Sequence, residues 1–463
     1  MDTWQDLLID LVVIAVFIAG IAQFRSPAGA RRGNITTALA FSAALVLLVV
    51  RNTIGQPWLV VAAVVAGGLA GWLISARITM TRIPALIALQ NGAGGGASLL
   101  VAAVELSRMG ADPGVLPAIF GVAGALVGGV ALAGSLVAAA KLENRMSPRP
   151  RTLPGHTLIQ LMLLATVVAM GAMLPSLAGA ERLVAVIVLA AATLTLGVVF
   201  AVRVGGADMP VMISLLNAFS GLAAAFVGVT IGNQMLVAAG AMVGSSGTIL
   251  TLVMARAMNR SVGAILVGRQ LAEGASAAPA PTAMPEETVA PARSTEPPLT
   301  RARTALAGAT SVIIVPGYGM ALAQAQGEVA ALAEKLEAAG KLVRFAVHPV
   351  AGRMPGHMHV LLAEADVEYD KLYEMDAING DFASTDVVII VGACDVVNPA
   401  AISAADTPIS GMPILNAHEA GAVIVCNLDE KPGYSGVPNP LYDDPKAILL
   451  FGDAKETVAS LIG

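Results

Sequence analysis

The residues best suited to chemistry form a glycine-rich turn, Pro316-Gly317-Tyr318-Gly319-Met320-Ala321. A β-branched run at 312–315 precedes this turn, and the pattern after it predicts a helix from Ala321 to Ala339. Such a turn lets backbone N–H groups and a helix N-terminus approach a pyrophosphate. Leu322 replaces the third glycine of the usual dinucleotide fingerprint. The turn therefore indicates a dinucleotide site mainly through its place between a strand and a helix.

Three further loops follow predicted strands and carry an arginine, several glycines and an asparagine. They are Val350-Ala351-Gly352-Arg353-Met354-Pro355-Gly356-His357-Met358, Gly392-Ala393-Cys394-Asp395-Val396-Val397-Asn398-Pro399 and Gly433-Tyr434-Ser435-Gly436. The carboxylate that usually holds a ribose after the second strand is missing, because His348-Pro349 stand there. The fold therefore either binds no dinucleotide or binds one differently. His357 and His359 have no third ligand at a suitable spacing, so we expect no metal site.

A second set of polar residues lies within long apolar runs, where polar groups are costly and mark functional candidates. They are Gln90, Asn91, Ser135, Asn217, Ser220, Ser245, Ser246 and Thr248, with Asp208 at the start of the eighth run. Hydroxyls in membrane helices usually bond to their own backbone. The amides of Asn217 and of the Gln90-Asn91 pair are therefore better candidates for ordering a water chain. No Asp, Glu, Lys or His lies deep in a run, which disfavours a pump with a carboxylate carrier at the midplane.

The composition shows that two different kinds of structure hold these groups. Of the 463 residues 56% are hydrophobic and 13% charged, against about 25% charged in soluble domains, which excludes a wholly soluble protein. With 27 basic against 32 acidic residues and no basic run, we expect no nucleic-acid partner. The two cysteines are too few for a disulfide framework and are expected to be buried thiols.

Nine apolar runs approach the roughly 20 residues that a bilayer-spanning helix needs. They are Leu7–Phe24, Ile35–Val50, Trp58–Ile74, Ile83–Val104, Val115–Ala140, Thr157–Leu174, Leu183–Val202, Pro210–Ile231 and Met235–Ala257. Thirteen Lys and Arg residues follow the odd-numbered runs and three follow the even-numbered ones. Because basic residues stay on the cytoplasmic side, this asymmetry places the N-terminus outside and the C-terminal part in the cytoplasm.

The chain after the ninth run divides into a linker and a second domain. Six prolines among Ala, Ser, Thr and Glu predict a tether over 273–300. From Ser311, β-branched runs alternate with helical stretches, which is typical of a parallel α/β sheet. The predicted strands are Val312–Val315, Leu342–Val347, Asp386–Gly392, Ala422–Asn427 and Ala447–Phe451. The predicted fold is a polytopic α-helical bundle over 1–272 and a C-terminal Rossmann-like α/β domain over 301–463.

Taken together, the motifs resemble the beta subunit of the proton-translocating nicotinamide nucleotide transhydrogenases over essentially the whole chain. In the C-terminal domain the resemblance rests on the following segments: Gly317–Ala321 with Ala323–Gln326, His348–Arg353, Pro355–Met358, Leu361–Ala365 and Glu374–Asp376. In the membrane part it rests on Gly205–Pro210, Gly244–Gly247 and Ala257–Ser261.

The resemblance implies a redox-driven proton translocator. It implies that 301–463 binds NADP(H), with the nucleotide reversed relative to a usual Rossmann site, and that 1–272 translocates protons. It implies a partner alpha subunit of one or two chains that binds NAD(H), direct hydride transfer between the two nicotinamides, and a homodimer of alpha-beta units. A multi-pass protein of a bacterial-type inner membrane is the implied location.

The resemblance also assigns roles to residues. Asp395 is implied beside the nicotinamide as a gating or proton-linked group, Tyr434 in a lid, and Asp208 with Arg260 near the contact with the soluble domain. The implied nucleotide-binding residues are Gly317, Tyr318, Gly319, Met320, Ala321, Val350, Ala351, Gly352, Arg353, Met354, Pro355, Gly392, Ala393, Cys394, Asp395, Asn398, Asn427, Leu428, Asp429, Lys431, Gly433 and Tyr434. The implied proton path includes Gln90, Asn91, Ser135, Asp208, Asn217 and Gly247.

The sequence departs from the family pattern at three places. Many members have histidine where this chain has Gln90, so that position cannot titrate here and Asn91 is the candidate for its role. Cys394 stands where asparagine is common. Asn427-Leu428-Asp429 replace the Lys-Arg-Ser that holds the extra ribose phosphate of NADP, although Lys431 and Arg353 offer cations. We predict that the isolated domain still prefers NADP(H), by a reduced margin that Lys431→Ala narrows further.

Two other functions fit parts of the sequence. A transporter or channel with a cytoplasmic dinucleotide-sensing domain needs no second dinucleotide domain, whereas direct hydride transfer does. A membrane scaffold with a vestigial Rossmann domain fits the intact glycine-rich turn poorly.

Overall fold

The computed structural model of the chain describes residues 3–23, 27–51, 55–79, 82–109, 114–147, 150–205, 208–258, 261–267, 296–354, 356–404 and 407–463. Within these ranges nine helices are long and apolar enough to cross a membrane. They are α1 (Thr3–Ala22), α2 (Pro27–Arg51), α3 (Pro57–Arg77), α4 (Ile83–Arg108), α5 (Val115–Leu142), α6 (His156–Met173), α7 (Gly179–Val202), α8 (Met209–Thr230) and α9 (Gln234–Ala257). The predicted nine spans are confirmed, and the chain is a multi-pass membrane protein.

Small residues let the backbones of neighbouring membrane helices come into direct contact. A Cβ added to Gly128 of α5 would lie 2.7 Å from the Gly95 carbonyl oxygen of α4, and one added to Gly95 would lie equally close to Gly128. Helices α8 and α9 meet in the same way, because a Cβ on Gly221 would lie 2.4 Å from the Gly244 nitrogen. Lipid supplies no hydrophobic force between helices, so such close van der Waals contact stabilises their packing.

Charged side chains tie helix ends together. The Arg51 guanidinium at the end of α2 lies 2.5 Å from the Asp10 carboxylate and 3.2 Å from that of Asp6, both in α1. Lys141, in the last turn of α5, donates to the carbonyl oxygens of Ala201 at 3.3 Å and Val202 at 2.7 Å. These carbonyls belong to the last turn of α7, where the helix leaves acceptors unpaired and a cation is favoured.

The chain forms two compact units, Met1–Arg203 with Met212–Leu250, and Val204–Val211 with Thr251–Gly463. A short helix, α10 (Val262–Val267), follows the nine long ones. Most of the predicted linker lies outside the described residues. Helix α11 (Pro298–Gly308) begins before residue 300, where the linker was predicted to end. The domain boundaries at 272 and 301 stay a prediction.

The C-terminal unit contains a six-stranded sheet in the order β3-β2-β1-β4-β5-β6, with every neighbouring pair parallel. The strands are β1 (Ser311–Pro316), β2 (Leu342–Val347), β3 (Leu372–Glu374), β4 (Val387–Val391), β5 (Ala422–Asn427) and β6 (Ala447–Phe451). The helices between and after them are α12 (Tyr318–Ala323), α13 (Gln326–Ala338), α14 (His357–Glu364), α15 (Met375–Ile378), α16 (Ala400–Ser403) and α17 (Ala454–Ile462). This strand order is that of dinucleotide-binding doubly wound sheets, which confirms the predicted Rossmann-like fold.

The core of the sheet comes from its central strands. All five residues of β4 are buried, and in β1 only Ser311 is partly exposed. One face of these strands packs Ile313, Val315, Val388 and Ile390 against Phe382 and neighbouring apolar residues. Near-continuous apolar strands are expected in parallel sheets, because helices cover both faces.

Two elements differ from the prediction. The helix expected from Ala321 to Ala339 is divided into α12 and α13, because Gln324 has a left-handed backbone with φ of +52° that ends α12. The strand β3 was not predicted. It has three residues and pairs only with β2, so it lacks the buried apolar run that marks the central strands.

Candidate functional site

The candidate site lies at the carboxyl edge of the sheet, where β1 has β2 on one side and β4 on the other. The chain leaves the two sides in opposite directions at this point, and ligands of open α/β sheets bind in the resulting crevice. The Gly317 N–H donates to Val391 O and the Gly319 N–H to Gly392 O, each at 2.8 Å. A Cβ on Gly317 would lie 2.2 Å from Gly392 O, and Gly392 itself has φ of +67°. Both positions therefore require glycine.

Three loops meet over this turn through one cation and two aromatic rings. The Arg353 guanidinium carbon lies 4.6 Å from the centre of the Tyr318 ring. The same side chain donates to the Tyr434 hydroxyl at 2.9 Å, and the two tyrosine rings lie 6.2 Å apart. Burial raises the pKa of Tyr318 to about 12, so its phenol stays neutral. The contacts join the loops after β1, β2 and β5, and the sequence placed all three residues in the site.

The loop after β2 is shaped by two buried histidines. His348 Nδ1 accepts from the Val350 N–H at 3.2 Å, and its Nε2 donates to Pro413 O at 2.9 Å. Burial lowers the pKa of His348 to about 4, so it is a neutral side chain that braces the loop. His357 lies under the loop and contacts Tyr318, with ring centres 6.2 Å apart. Ala351 and Met354 are buried, Gly352 has φ of +104°, and Pro355 lies outside the described residues.

Asp395 fastens the loop after β5. Its carboxylate accepts from the Ser435 N–H at 3.0 Å and from the Ser435 hydroxyl at 2.6 Å. A Cβ on Gly433 would lie 2.8 Å from the same carboxylate, so the loop lies directly on it. Burial raises the pKa of Asp395, and it also raises the pKa of the neighbouring Cys394 thiol. Burial therefore favours the protonated form of Asp395, whereas the hydrogen bonds from Ser435 favour its carboxylate.

Two asparagines among the predicted binding residues point into the protein. Asn398 donates to the carbonyls of Val437 and Pro438 and accepts from the Ala400 N–H. Asn427, at the end of β5, donates to Ala393 O at 2.8 Å and to the Tyr442 hydroxyl at 2.7 Å. These contacts position loops around the edge.

The residues after Asn427 leave the sheet and carry charge. Leu428 is 75% exposed, and the Lys431 ammonium lies 3.0 Å from the Asp429 carboxylate. Hydrogen bonding to the Lys431 side chain and backbone lowers the pKa of Asp429. The cation at 431 is therefore already paired with a carboxylate two residues away.

The polar residues predicted in the membrane helices lie in different surroundings. Asn91 is buried and donates to Ile213 O at 3.3 Å, whereas its neighbour Gln90 is exposed on the surface of α4. Ser135 is fully buried beside Gly92, and its hydroxyl has no hydrogen-bond partner among the described residues. Asn217 is half-buried. A buried hydroxyl without a protein partner is suited to bind water.

The four other hydroxyl-bearing residues predicted in the spans make local contacts. Ser220, Ser245, Ser246 and Thr248 each donate to a carbonyl three or four residues earlier in the same helix. The Gly247 carbonyl accepts from Ser214 at 3.2 Å. Asp208 stands just before α8, and Arg260 lies outside the described residues.

Several residues that build the site were given no such role by sequence reasoning. Ser435 holds Asp395, Tyr442 holds Asn427, and His357 accepts a hydrogen bond from the Arg353 backbone. His357 and Ser435 lay in loops that the sequence singled out, whereas Tyr442 had no local signal. In the described ranges no group of three or more His, Cys, Asp or Glu residues could hold a metal ion.

The chain is similar in sequence to known proteins over nearly its whole length. Residues 7–463 match the family model described as PNTB, the NAD(P) transhydrogenase beta subunit. The NAD(P) transhydrogenase subunit beta of Rhodospirillum rubrum is 38% identical over 467 residues, covering 98% of this chain and 97% of that protein. The same-named protein from a strain of that species gives the same values. The chain belongs to the NAD(P) transhydrogenase beta subunit family.

Proposed function

We propose that this beta subunit passes hydride between NAD(H) on a partner alpha subunit and NADP(H) on its own C-terminal domain, coupled to proton translocation. The observation that carries the proposal is the cluster of Tyr318, Arg353 and Tyr434 over the glycine-rich turn at the crossover of the sheet. It supports nucleotide binding in a chain whose described residues also include nine candidate spans.

The residues at this edge fit a dinucleotide. His357 Nε2 and Asn427 Oδ1 are buried polar atoms without hydrogen-bond partners among the described residues. A bound nucleotide, or water ordered by it, can satisfy such atoms, which are otherwise costly. His348 stands where a ribose-binding carboxylate would, which supports the reversed orientation of the nucleotide. When bound, NADP(H) supplies or accepts the hydride at its nicotinamide ring.

The chain's own residues then bind, cover and respond to the nucleotide. Arg353 offers its cation toward phosphate, and Tyr434 covers the turn. Asp395 holds the loop after β5 through Ser435, so gain or loss of a proton at its carboxylate changes how firmly that loop is held. This makes Asp395 the candidate for the proton-linked gating group.

Most residues of the proposed proton path are neutral and lie within the membrane helices. Asn91, Ser135 and Asn217 can order water without carrying a charge into the bilayer, and Gly247 permits close helix packing beside them. Gln90 and Asp208 complete the proposed set. Coupling requires that the nucleotide state favour one of two states of the proton path, and that proton binding favour the nucleotide state to the same extent.

The partner and the location belong to the same proposal. Direct hydride transfer requires the two nicotinamides to be held about 3–3.5 Å apart, so the NAD(H)-binding domain of an alpha subunit, made of one or two chains, must dock at the NADP(H) site. We propose a homodimer of alpha-beta units in a bacterial-type inner membrane, with the N-terminus outside and the C-terminal domain in the cytoplasm.

Reconstitution of the chain with a candidate alpha subunit in vesicles tests the proposal. Hydride exchange between NADPH and an NAD⁺ analogue is followed together with a pH-sensitive dye inside the vesicles. We expect exchange to change the internal pH and to accelerate when an uncoupler collapses the gradient. Exchange without proton movement would reject the pump. Nucleotide-dependent flux without exchange would instead favour the transporter or channel with a sensing domain.

A further inference from the structure

His357 lies at the centre of the contacts that shape the loop after β2. It is 1% exposed, and its Nδ1 accepts from the Arg353 N–H at 3.0 Å. The backbone N–H of His357 donates to Met354 O at 3.2 Å. The two hydrogen bonds close the loop between Arg353 and His357 from both ends, so the backbone of Arg353 is held by a side chain four residues ahead.

The surroundings of the ring leave it little freedom. A Cβ on Gly352 would lie 2.5 Å from His357 Nδ1, and Gly352 has φ of +104°, so only glycine lets the loop pass over the ring. The ring also contacts Tyr318 of the glycine-rich turn. Burial lowers the pKa of His357 to about 4, so near neutral pH Nδ1 is an acceptor and the proton is on Nε2.

These contacts connect His357 to the cation of the site. Arg353 reaches both Tyr318 and Tyr434 from the backbone position that His357 holds. We propose that His357 is a positioning residue for nucleotide binding: Nδ1 fixes the Arg353 backbone, and Arg353 in turn contacts the nucleotide. This inference rests on the proposed function, because it assumes that Arg353 binds the nucleotide.

Substitutions that keep or remove a hydrogen-bond acceptor at the position of Nδ1 test the inference. In asparagine, Oδ1 occupies the place of Nδ1 and is an acceptor, whereas leucine has no acceptor. We expect His357→Leu to weaken NADPH binding about tenfold, which corresponds to a loss of about 1.4 kcal/mol of binding free energy. His357→Asn is expected to stay within about threefold of the natural chain. His359→Leu is the control, since His359 is on the same helix but pairs with Glu374.

The measurement is the NADPH dissociation constant of the purified full chain, followed by nicotinamide fluorescence, with thermal unfolding as the check on folding. A double-mutant cycle adds Arg353→Ala, and we expect His357→Leu to have little further effect in that background. Equal weakening by the Asn and Leu variants, or additive effects in the cycle, would overturn the inference. If the natural chain itself does not bind NADPH, the proposed function fails instead.

Discussion

At the scale of single residues, the Asp429–Lys431 pair sets the expected nucleotide preference. The ion pair at 3.0 Å means that a phosphate approaching Lys431 must compete with a carboxylate. We expect NADPH to bind more tightly than NADH by a small margin. Asp429→Ser should widen that margin by about two- to fivefold, the range of an exposed ion pair, and Lys431→Ala should narrow it.

The chain contains its own control for this prediction. Asp444 and Lys446 repeat the spacing, with the Lys446 N–H donating to Asp444 Oδ1 at 3.0 Å, but they precede β6 and lie at the opposite edge of the sheet. Asp444→Ser therefore makes the same charge change away from the site. Titrations of both reduced nucleotides at fixed salt decide the matter. Tighter binding of NADH, or an equal response to Asp444→Ser, would contradict the assignment.

The adjacent amides Gln90 and Asn91 offer a second comparison between residues. Asn91 is buried and bonded to Ile213 O, whereas Gln90 is exposed. We expect Asn91→Leu to slow proton-coupled hydride exchange at least tenfold while NADPH binding is unchanged, because the apolar side chain cannot order water. Gln90→Leu removes the other amide of the proposed path, and because that amide is exposed, we expect it to slow exchange less than Asn91→Leu does. Vesicle assays measure the rate of proton-coupled exchange in both variants. Equal rates in the two would remove Asn91 from the proposed path.

At the scale of elements, the contact between α4 and α5 depends on glycine. A methyl group at Gly128 would lie 2.7 Å from Gly95 O, so Gly128→Ala must push two helices apart. We expect a loss of about 1–3 kcal/mol in stability of the membrane unit, typical of overpacking. Gly67→Ala in α3 is the matched control, because nothing lies within 4 Å of its Cβ. Thermal unfolding in detergent compares the two, and similar midpoints would contradict close packing there.

At the scale of the whole molecule, the C-terminal sheet has a core of its own. Its central apolar cluster comes from residues 313–442, and α11 adds buried Ala302 and Leu306. Arg303 of α11 also donates to Ser460 O. We expect a fragment of residues 296–463 to fold and bind NADPH as the full chain does. A fragment of residues 310–463 lacks Leu306, so its free energy of unfolding should fall by about 2 kcal/mol, the contribution of burying one leucine.

Urea unfolding followed by circular dichroism compares these two fragments. A fragment starting at the predicted boundary, residue 301, should be intermediate, because it removes the first turn of α11. Failure of the 296–463 fragment to fold would show that the sheet depends on the membrane part. Equal stability of all three fragments would show that α11 contributes little.

The sequence alone determined the large elements. The nine apolar runs correspond to nine helices in the part of the chain that the structure describes, since a bilayer demands about 20 apolar residues whatever the packing. Five of the six strands were located by their β-branched runs, because strands buried on both faces must be apolar throughout. The glycine-rich turn, Arg353 and Tyr434 were placed in the site from their positions after strands.

Only the tertiary structure decided the direction and the partner of each polar side chain. Asn427 contacts Ala393 and Tyr442, which are 34 and 15 residues away, so no local pattern shows that it points inward. Likewise, Asn91 is buried and Gln90 exposed because the neighbouring helices pack on one side of α4. The predicted helix is divided at Gln324 because of the positive φ angle of that single residue. Periodicity reports which elements form, whereas hydrogen bonds between distant residues decide what those elements present to a ligand.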